Sequence, residues 1–202
     1  LPVSHVGHNI AQVIDRSALP KDVARHSVLL PIVKDEDDLW DCEIKVNRAI
    51  LELTRRGGGP VHINVPTTYN NSFVKKLPRF RKIERISLTD RFPVLPDKSK
   101  VAVFVGAHVA WTYEKTEALD RFCSKNNAIV FCDHTSNYKG KYRVSYALAA
   151  SQALDHSEIY PDILIHIGET SGDYYTLGLA RNGEEVWRVS EDGKIRDTFR
   201  GL

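Results

Sequence analysis

Methionine is absent from the chain, cysteine occurs only three times, and neither sign of charge prevails. At about 2% usage, roughly four or five methionines are expected in a chain of this length. Their absence is either chance or a sign that methionines are missing from the recorded chain, and in the second case some spacings are short by one. The cysteines, Cys42, Cys123 and Cys132, lie far apart and are odd in number. They form no zinc pattern and no disulfide framework, which points to a reducing, cytoplasmic setting. Balanced charge, 28 basic against 26 acidic residues, argues against nucleic acid as a partner. No apolar run approaches the roughly 20 residues that span a bilayer, so no membrane association is expected. The opening stretch LPVSHVGHNI has no charged region followed by an apolar one, so no signal peptide is read there. It begins at Leu1, so the chain is expected to be less than a complete translation product. Nine prolines and twelve glycines are too few for a fibrous or disordered chain.

What is present is ordinary globular composition, 202 residues with 42% hydrophobic and 27% charged. The chain reads as two pieces, residues 1–70 and 101–202, joined by a linker over 71–100. Pro78, Pro93 and Pro96 disfavour regular structure in the linker, and its basic stretch KKLPRFRKIER reads as a solvated connector. No internal repeat is visible.

In the first piece SVLLPIV, residues 27–33, is a short strand. A helix follows, capped by Asp35, with Glu36, Asp37 and Asp38 at its positive end. Leu39, Val46, Ala49, Ile50 and Leu53 are expected on its buried face. Arg55 and Arg56 suit its carbonyl end and Gly57 stops it. PVHINV, residues 60–65, is the next strand, closed by Pro66.

The second piece alternates strand and helix. VAVFV (101–105), AIVFC (128–132), DILIHI (162–167) and EVWRV (185–189) are strands. The first is a continuous apolar run, the pattern of a strand covered on both faces. Helices are expected from a Thr112 cap to Asn126, with Leu119, Phe122 and Cys123 inward, then over 146–154 and 174–180. Such alternation implies right-handed crossovers and a parallel sheet. The fold class is α/β: a Rossmann-like parallel sheet flanked by helices, preceded by the tail of a second α/β domain.

Open parallel sheets bind ligands beyond the carboxyl ends of their strands. Three loops lie there: Gly106-Ala107-His108, Asp133-His134-Thr135-Ser136, and Gly168-Glu169-Thr170-Ser171-Gly172. Glycine allows tight turns, and N–H groups at a helix start attract anions. Neither a dinucleotide fingerprint nor a phosphate-binding P-loop is present. Each loop is therefore either a ligand contact or a turn. Asp133 and His134 could form a base and its orienter, but adjacent loop residues usually point apart. His62 faces solvent or a satisfied contact. Cys132 packs as a small hydrophobe. Glu169 and Asp173 form an acidic pair or solvate their loop. No cluster has metal-ligand spacing.

GHNIAQVID (7–15), the acidic-capped helix and GGGPVHINVPTTYN (57–70) occur in that order. Together they resemble the end of the pyrimidine-binding domain of thiamine-diphosphate-dependent enzymes, in the branch of acetolactate synthase and 2-succinyl-5-enolpyruvyl-6-hydroxy-3-cyclohexene-1-carboxylate synthase. In that family a Gly-Pro-Val strand ending in proline closes the domain, and a linker leads to a central Rossmann-like domain. Residues 59–66 fit the strand, and DILIHIGETSG resembles a late strand and turn of the central domain.

The resemblance implies a fragment of an enzyme that decarboxylates a 2-oxo acid, joins the product to an acceptor, or does both. The family's cofactor-activating glutamate lies upstream of the segment seen here. The GDG…N motif that holds magnesium and diphosphate lies in a third domain and has no counterpart in this sequence. The fragment alone is thus expected to bind neither thiamine diphosphate nor magnesium. Gln12 matches a family glutamine that faces the active site, and Asn9 is a second candidate. Gly106, Asp133, Gly168 and Glu169 are the cofactor-facing candidates of the central domain. Some central domains bind FAD and others have lost that site, and these loops leave both open. The implied partners are the remaining domains of the same enzyme, a second or further copy in a homodimer or homotetramer, and a small 2-oxo acid. The competing reading is a nucleotide-binding or assembly module without chemistry of its own.

Overall fold

The computed structural model describes residues 2–16, 19–20, 22–67, 80–152, 160–169, 174–176 and 185–202. Two compact units divide the chain, 1–92 and 93–202. The division falls inside the stretch expected as a linker.

In the first unit β1 (His26–Leu29) and β2 (Val61–Asn64) pair in parallel, His26 opposite Val61. Pro31 lies just beyond β1, which is shorter than SVLLPIV because proline withholds a donor. Helix α1 (Glu36–Glu52) connects the strands, and Asp35 caps it by accepting from the Asp38 N–H at 2.9 Å. Such a cap is worth about 1 kcal/mol. Its buried residues are Ile44 and Ala49. Leu39, Ile50 and Leu53, expected inward, are exposed. Two strands are too narrow to cover the whole stripe, and part of the helix is covered by the following segment instead. There Asn47 donates to the Arg81 carbonyl at 3.0 Å and accepts from the Ile83 N–H at 2.8 Å. Arg85 donates to the Leu51 carbonyl at 2.9 Å and pairs with Glu52 at 3.1 Å. Ile83 is buried. This part of the basic stretch is pinned to α1 rather than solvated, and Arg85, with Arg55 bonded to Glu52, serves the helix end.

The second unit is a five-stranded, all-parallel sheet of β3 (Val101–Val105), β4 (Ile129–Cys132), β5 (Arg143–Ser145), β6 (Ile163–Ile167) and β7 (Glu185–Val189). Its spatial order is β5-β4-β3-β6-β7. Helix α2 (Tyr113–Asn126) joins β3 to β4, capped by Thr112 and ended by left-handed Asn127. Helix α3 (Tyr146–Gln152) follows β5; the rest of the expected 146–154 helix, and most of that over 174–180, lies outside the described residues.

Both faces of the sheet are covered, and the residues of β3 alternate between them. Val101, Val103 and Val105 pack with Leu119 and Cys123 of α2 and with Val130, Cys132, Ile163 and Ile165. Ala102 and Phe104 pack on the other face with Phe131, Tyr146, Ala150, Leu164, Val186 and Phe199. Sequence reasoning missed β5, a three-residue rim strand.

Candidate functional site

The order β5-β4-β3-β6-β7 places β3 and β6 side by side while the chain runs outward from each. That is the switch point where open α/β sheets usually receive ligands. Here the two loops meet. The Gly106 N–H donates to the Ile167 carbonyl at 2.9 Å, and the Glu169 N–H donates to the Ala107 carbonyl at 2.8 Å. Ala107 and Glu169 form an antiparallel bridge. A Cβ on Gly106 would lie 1.7 Å from the Glu169 carbonyl oxygen. Gly168 takes φ +81°, and a Cβ there would lie 2.8 Å from the Ala107 oxygen. Mutual approach of the two backbones thus accounts for both glycines.

The β4 loop is tied to the same edge. Asp133 is buried, and its Oδ1 accepts from the N–H and the hydroxyl of Thr135, both at 2.7 Å. The Ser136 hydroxyl is shared between Asp133 Oδ1 at 3.0 Å and the Val105 carbonyl at the end of β3. The Asp133 N–H donates to that same hydroxyl at 2.9 Å. The His108 N–H donates to the Thr135 carbonyl at 3.2 Å, and Asn137 donates to the His108 carbonyl at 2.6 Å. Gly106, Asp133, Gly168 and Glu169 therefore share one edge. His134 is exposed and takes no part in the Asp133 network.

Sequence reasoning overlooked the polar residues beside this edge. His166 and Arg188 stand opposite each other in register on β6 and β7, in the cross-strand row that also holds Phe104. The His166 ring is 2% exposed and lies 5.4 Å from Phe104 and 5.1 Å from Phe199 between ring centres. Burial, then the Arg188 charge, lowers its pKa to about 3, against a hydrogen bond to the Glu169 backbone. Arg188 donates to the His166 carbonyl and reaches Glu169 Oε1, both at 3.4 Å. The signal available beforehand was one histidine in the otherwise apolar run DILIHI, and one arginine in EVWRV.

The earlier candidates Gln12 and Asn9 lie in the first unit, on an exposed, non-helical stretch before β1. Both take left-handed backbone conformations, φ 66° and 55°. Gln12 lines a cleft of about 660 Å³ with Val13, Ile14, Leu29, Asn64 and Pro66. His62 is satisfied by Ser27 Oγ at 2.9 Å from its Nδ1. Cys132 is buried in the core and its thiol is pushed up to about 11, chiefly by burial. Asp173 lies outside the described residues. Among the described residues, no group of His, Cys, Asp or Glu could hold a metal ion.

Topology and edge define the class: a Rossmann-like parallel α/β unit. Comparison with known proteins adds a likeness to one kind of synthase. The chain is 35% identical, over its full length, to a 2-succinyl-5-enolpyruvyl-6-hydroxy-3-cyclohexene-1-carboxylate synthase of Bacteroides thetaiotaomicron. It is 29% identical over 98% of its length to that of Phocaeicola vulgatus, and 26% identical over 99% to that of Bacteroides fragilis. No protein-family model matches. Along nearly its whole length the chain resembles these synthases, which are thiamine-diphosphate-dependent enzymes. It spans 38% to 39% of the length of these curated relatives. Among the described residues no helix is long and apolar enough to cross a membrane.

Proposed function

We propose that the protein carrying this chain is a thiamine-diphosphate-dependent enzyme that decarboxylates a 2-oxo acid and joins the product to an acceptor. The observation that carries this reading is the likeness to the named synthases along the entire chain. The chain supplies the end of the pyrimidine-binding domain, the connector and the central domain. Thiamine diphosphate, when bound, supplies the electron sink. The metal and diphosphate end is assigned to the remaining domains, because the family's GDG…N motif has no counterpart in this sequence.

Gln12 is the residue of this chain placed toward the reacting centre, with Asn9 as its neighbour in the loop. The cleft beside Gln12, at the ends of β1 and β2, supports this role. The central unit holds its edge shut by its own backbone, and no residue set is assigned to FAD. That bracing favours, for this unit itself, the competing role of an assembly module, with Gly106, Asp133, Gly168 and Glu169 shaping its edge. The three unpaired cysteines suit a reducing cytoplasm. The expected assembly is a homodimer or homotetramer, without nucleic acid or membrane.

The test is turnover of the full-length protein with thiamine diphosphate, magnesium and a panel of 2-oxo acids. Gln12→Ala should lower kcat about 10-fold or more while leaving the urea midpoint unchanged, as expected of an exposed loop residue. Normal turnover of the variant at saturating cofactor removes Gln12 from the site. Absence of carbon dioxide release from every 2-oxo acid overturns the proposed activity.

A further inference from the structure

We propose that the carboxyl end of β6 and β7 is an anion site, at which Arg188, backed by Arg196, receives a carboxylate or phosphate group in place of the Glu169 carboxylate. The site lies one strand away from the switch point, where the Gly106 and Glu169 backbones already fill the usual ligand position.

The Arg188 side chain is 5% exposed, which is rare for a guanidinium unless it is fully paired. Its pairing is incomplete. Both of its hydrogen bonds to the described residues are 3.4 Å long, beyond the usual N–H to O range. Its Nε is buried and has no partner among the described residues. The adjacent His166 Nε2 is likewise buried without a partner among the described residues. A few residues on, Arg196 holds Asp192 through two bonds of 3.1 and 2.7 Å, so a well-made arginine fork is within this unit's means.

Glu169 behaves as a stand-in anion. Its side chain is 62% exposed, it touches Arg188 Nη2 at 3.4 Å, and it lies 4.0 Å from Arg196 Nε. It is held to the edge by backbone hydrogen bonding, so the carboxylate can swing into water without breaking the brace. A free carboxylate or phosphate taking its place could approach both arginines, with a geometry the tethered side chain does not reach. The planar guanidinium is suited to either group. Nucleic acid is not the occupant, because the chain's charge is balanced.

The experiment is thermal unfolding of the full-length protein against rising inorganic phosphate and, separately, succinate, with chloride at matched ionic strength as the control. A ligand bound to the native state raises the midpoint progressively with concentration. Phosphate or succinate should raise it where chloride does not, and the more effective of the two identifies the group recognised. Arg188→Met should abolish the shift. Should that variant fail to fold, two less buried positions decide the matter. Glu169→Gln, which removes the competitor, should tighten binding several-fold, and Arg196→Met should weaken it several-fold. Equal shifts with chloride overturn the proposal. So do unchanged affinities in both Glu169→Gln and Arg196→Met.

Discussion

Replacing His166 by phenylalanine should flatten the acid side of the protein's stability profile. The ring is 2% exposed and lies against Phe104 and Phe199, with the Arg188 guanidinium reaching across from β7. Burial first, then the Arg188 charge, lowers its pKa from 6.5 to about 3. In the unfolded chain the same imidazole takes up a proton near 6.5. Above that pH both states are neutral here, and the full contribution to stability is present. Between 6.5 and 3 the unfolded chain binds a proton that the folded one refuses, so stability falls as the pH falls, by about 1.4 kcal/mol per pH unit. The whole window is worth on the order of 5 kcal/mol, comparable to the total stability of a small domain. Urea unfolding at a series of pH values from neutral to mildly acidic, followed by tryptophan fluorescence, measures the slope. His166→Phe costs some stability at neutral pH through repacking but carries no proton. Its profile should run flatter than that of the wild type by about one proton's worth of slope. Parallel profiles would show that His166 does not titrate in the unfolded chain alone, and the reasoning fails.

Gly106→Ala puts a Cβ 1.7 Å from the Glu169 oxygen and strains the brace between the two loops, for a loss of about 3 kcal/mol in urea unfolding. A loss below about 1 kcal/mol would mean that the loops part freely. Asn47→Ala removes the clamp on Arg81 and Ile83, and should cost about 2 kcal/mol and speed proteolytic cleavage just after residue 80. An unchanged cleavage rate would show that the segment is held without Asn47, through Glu43, Ile83 and Arg85. Burial raises the Cys123 and Cys132 thiols to about 11 and closes both off in the core, so a thiol reagent should modify half-buried Cys42 first. Equal rates at all three cysteines in the folded protein would refute that order.

The five-stranded sheet was legible because strands covered on both faces leave apolar runs, as VAVFV and AIVFC do throughout and DILIHI does apart from Asp162 and His166. Asp35 and Thr112 were legible as caps because a short polar side chain before an amphipathic stretch has a local partner three residues on. Strand β5 was not legible. It has three residues, Arg143 and Ser145 are exposed at the rim, and no period can show over so short a length. The buried face of α1 was misjudged for a different reason. Periodicity reports which residues are apolar, whereas the side that is buried depends on what else lies against the helix. Here that includes a segment more than 30 positions away, gripped by Asn47 and Glu43.

A glycine after a parallel strand has two physical explanations that look alike in sequence: a ligand comes close, or another backbone does. For Gly106 and Gly168 the structure supplies the second, since each is crowded by the loop of the other. Asp133 shows the same ambiguity. An acidic residue at a strand end could serve a substrate, and here its Oδ1 closes its own turn through Thr135 and Ser136. The arginine in EVWRV carried no motif, yet buried charge is the costlier feature to retain. A glycine explained by its neighbours leaves nothing over for a ligand. A buried guanidinium held by two 3.4 Å contacts does. Chemistry beyond packing at this edge is therefore to be sought at Arg188 and Glu169 before the more conspicuous glycine loops.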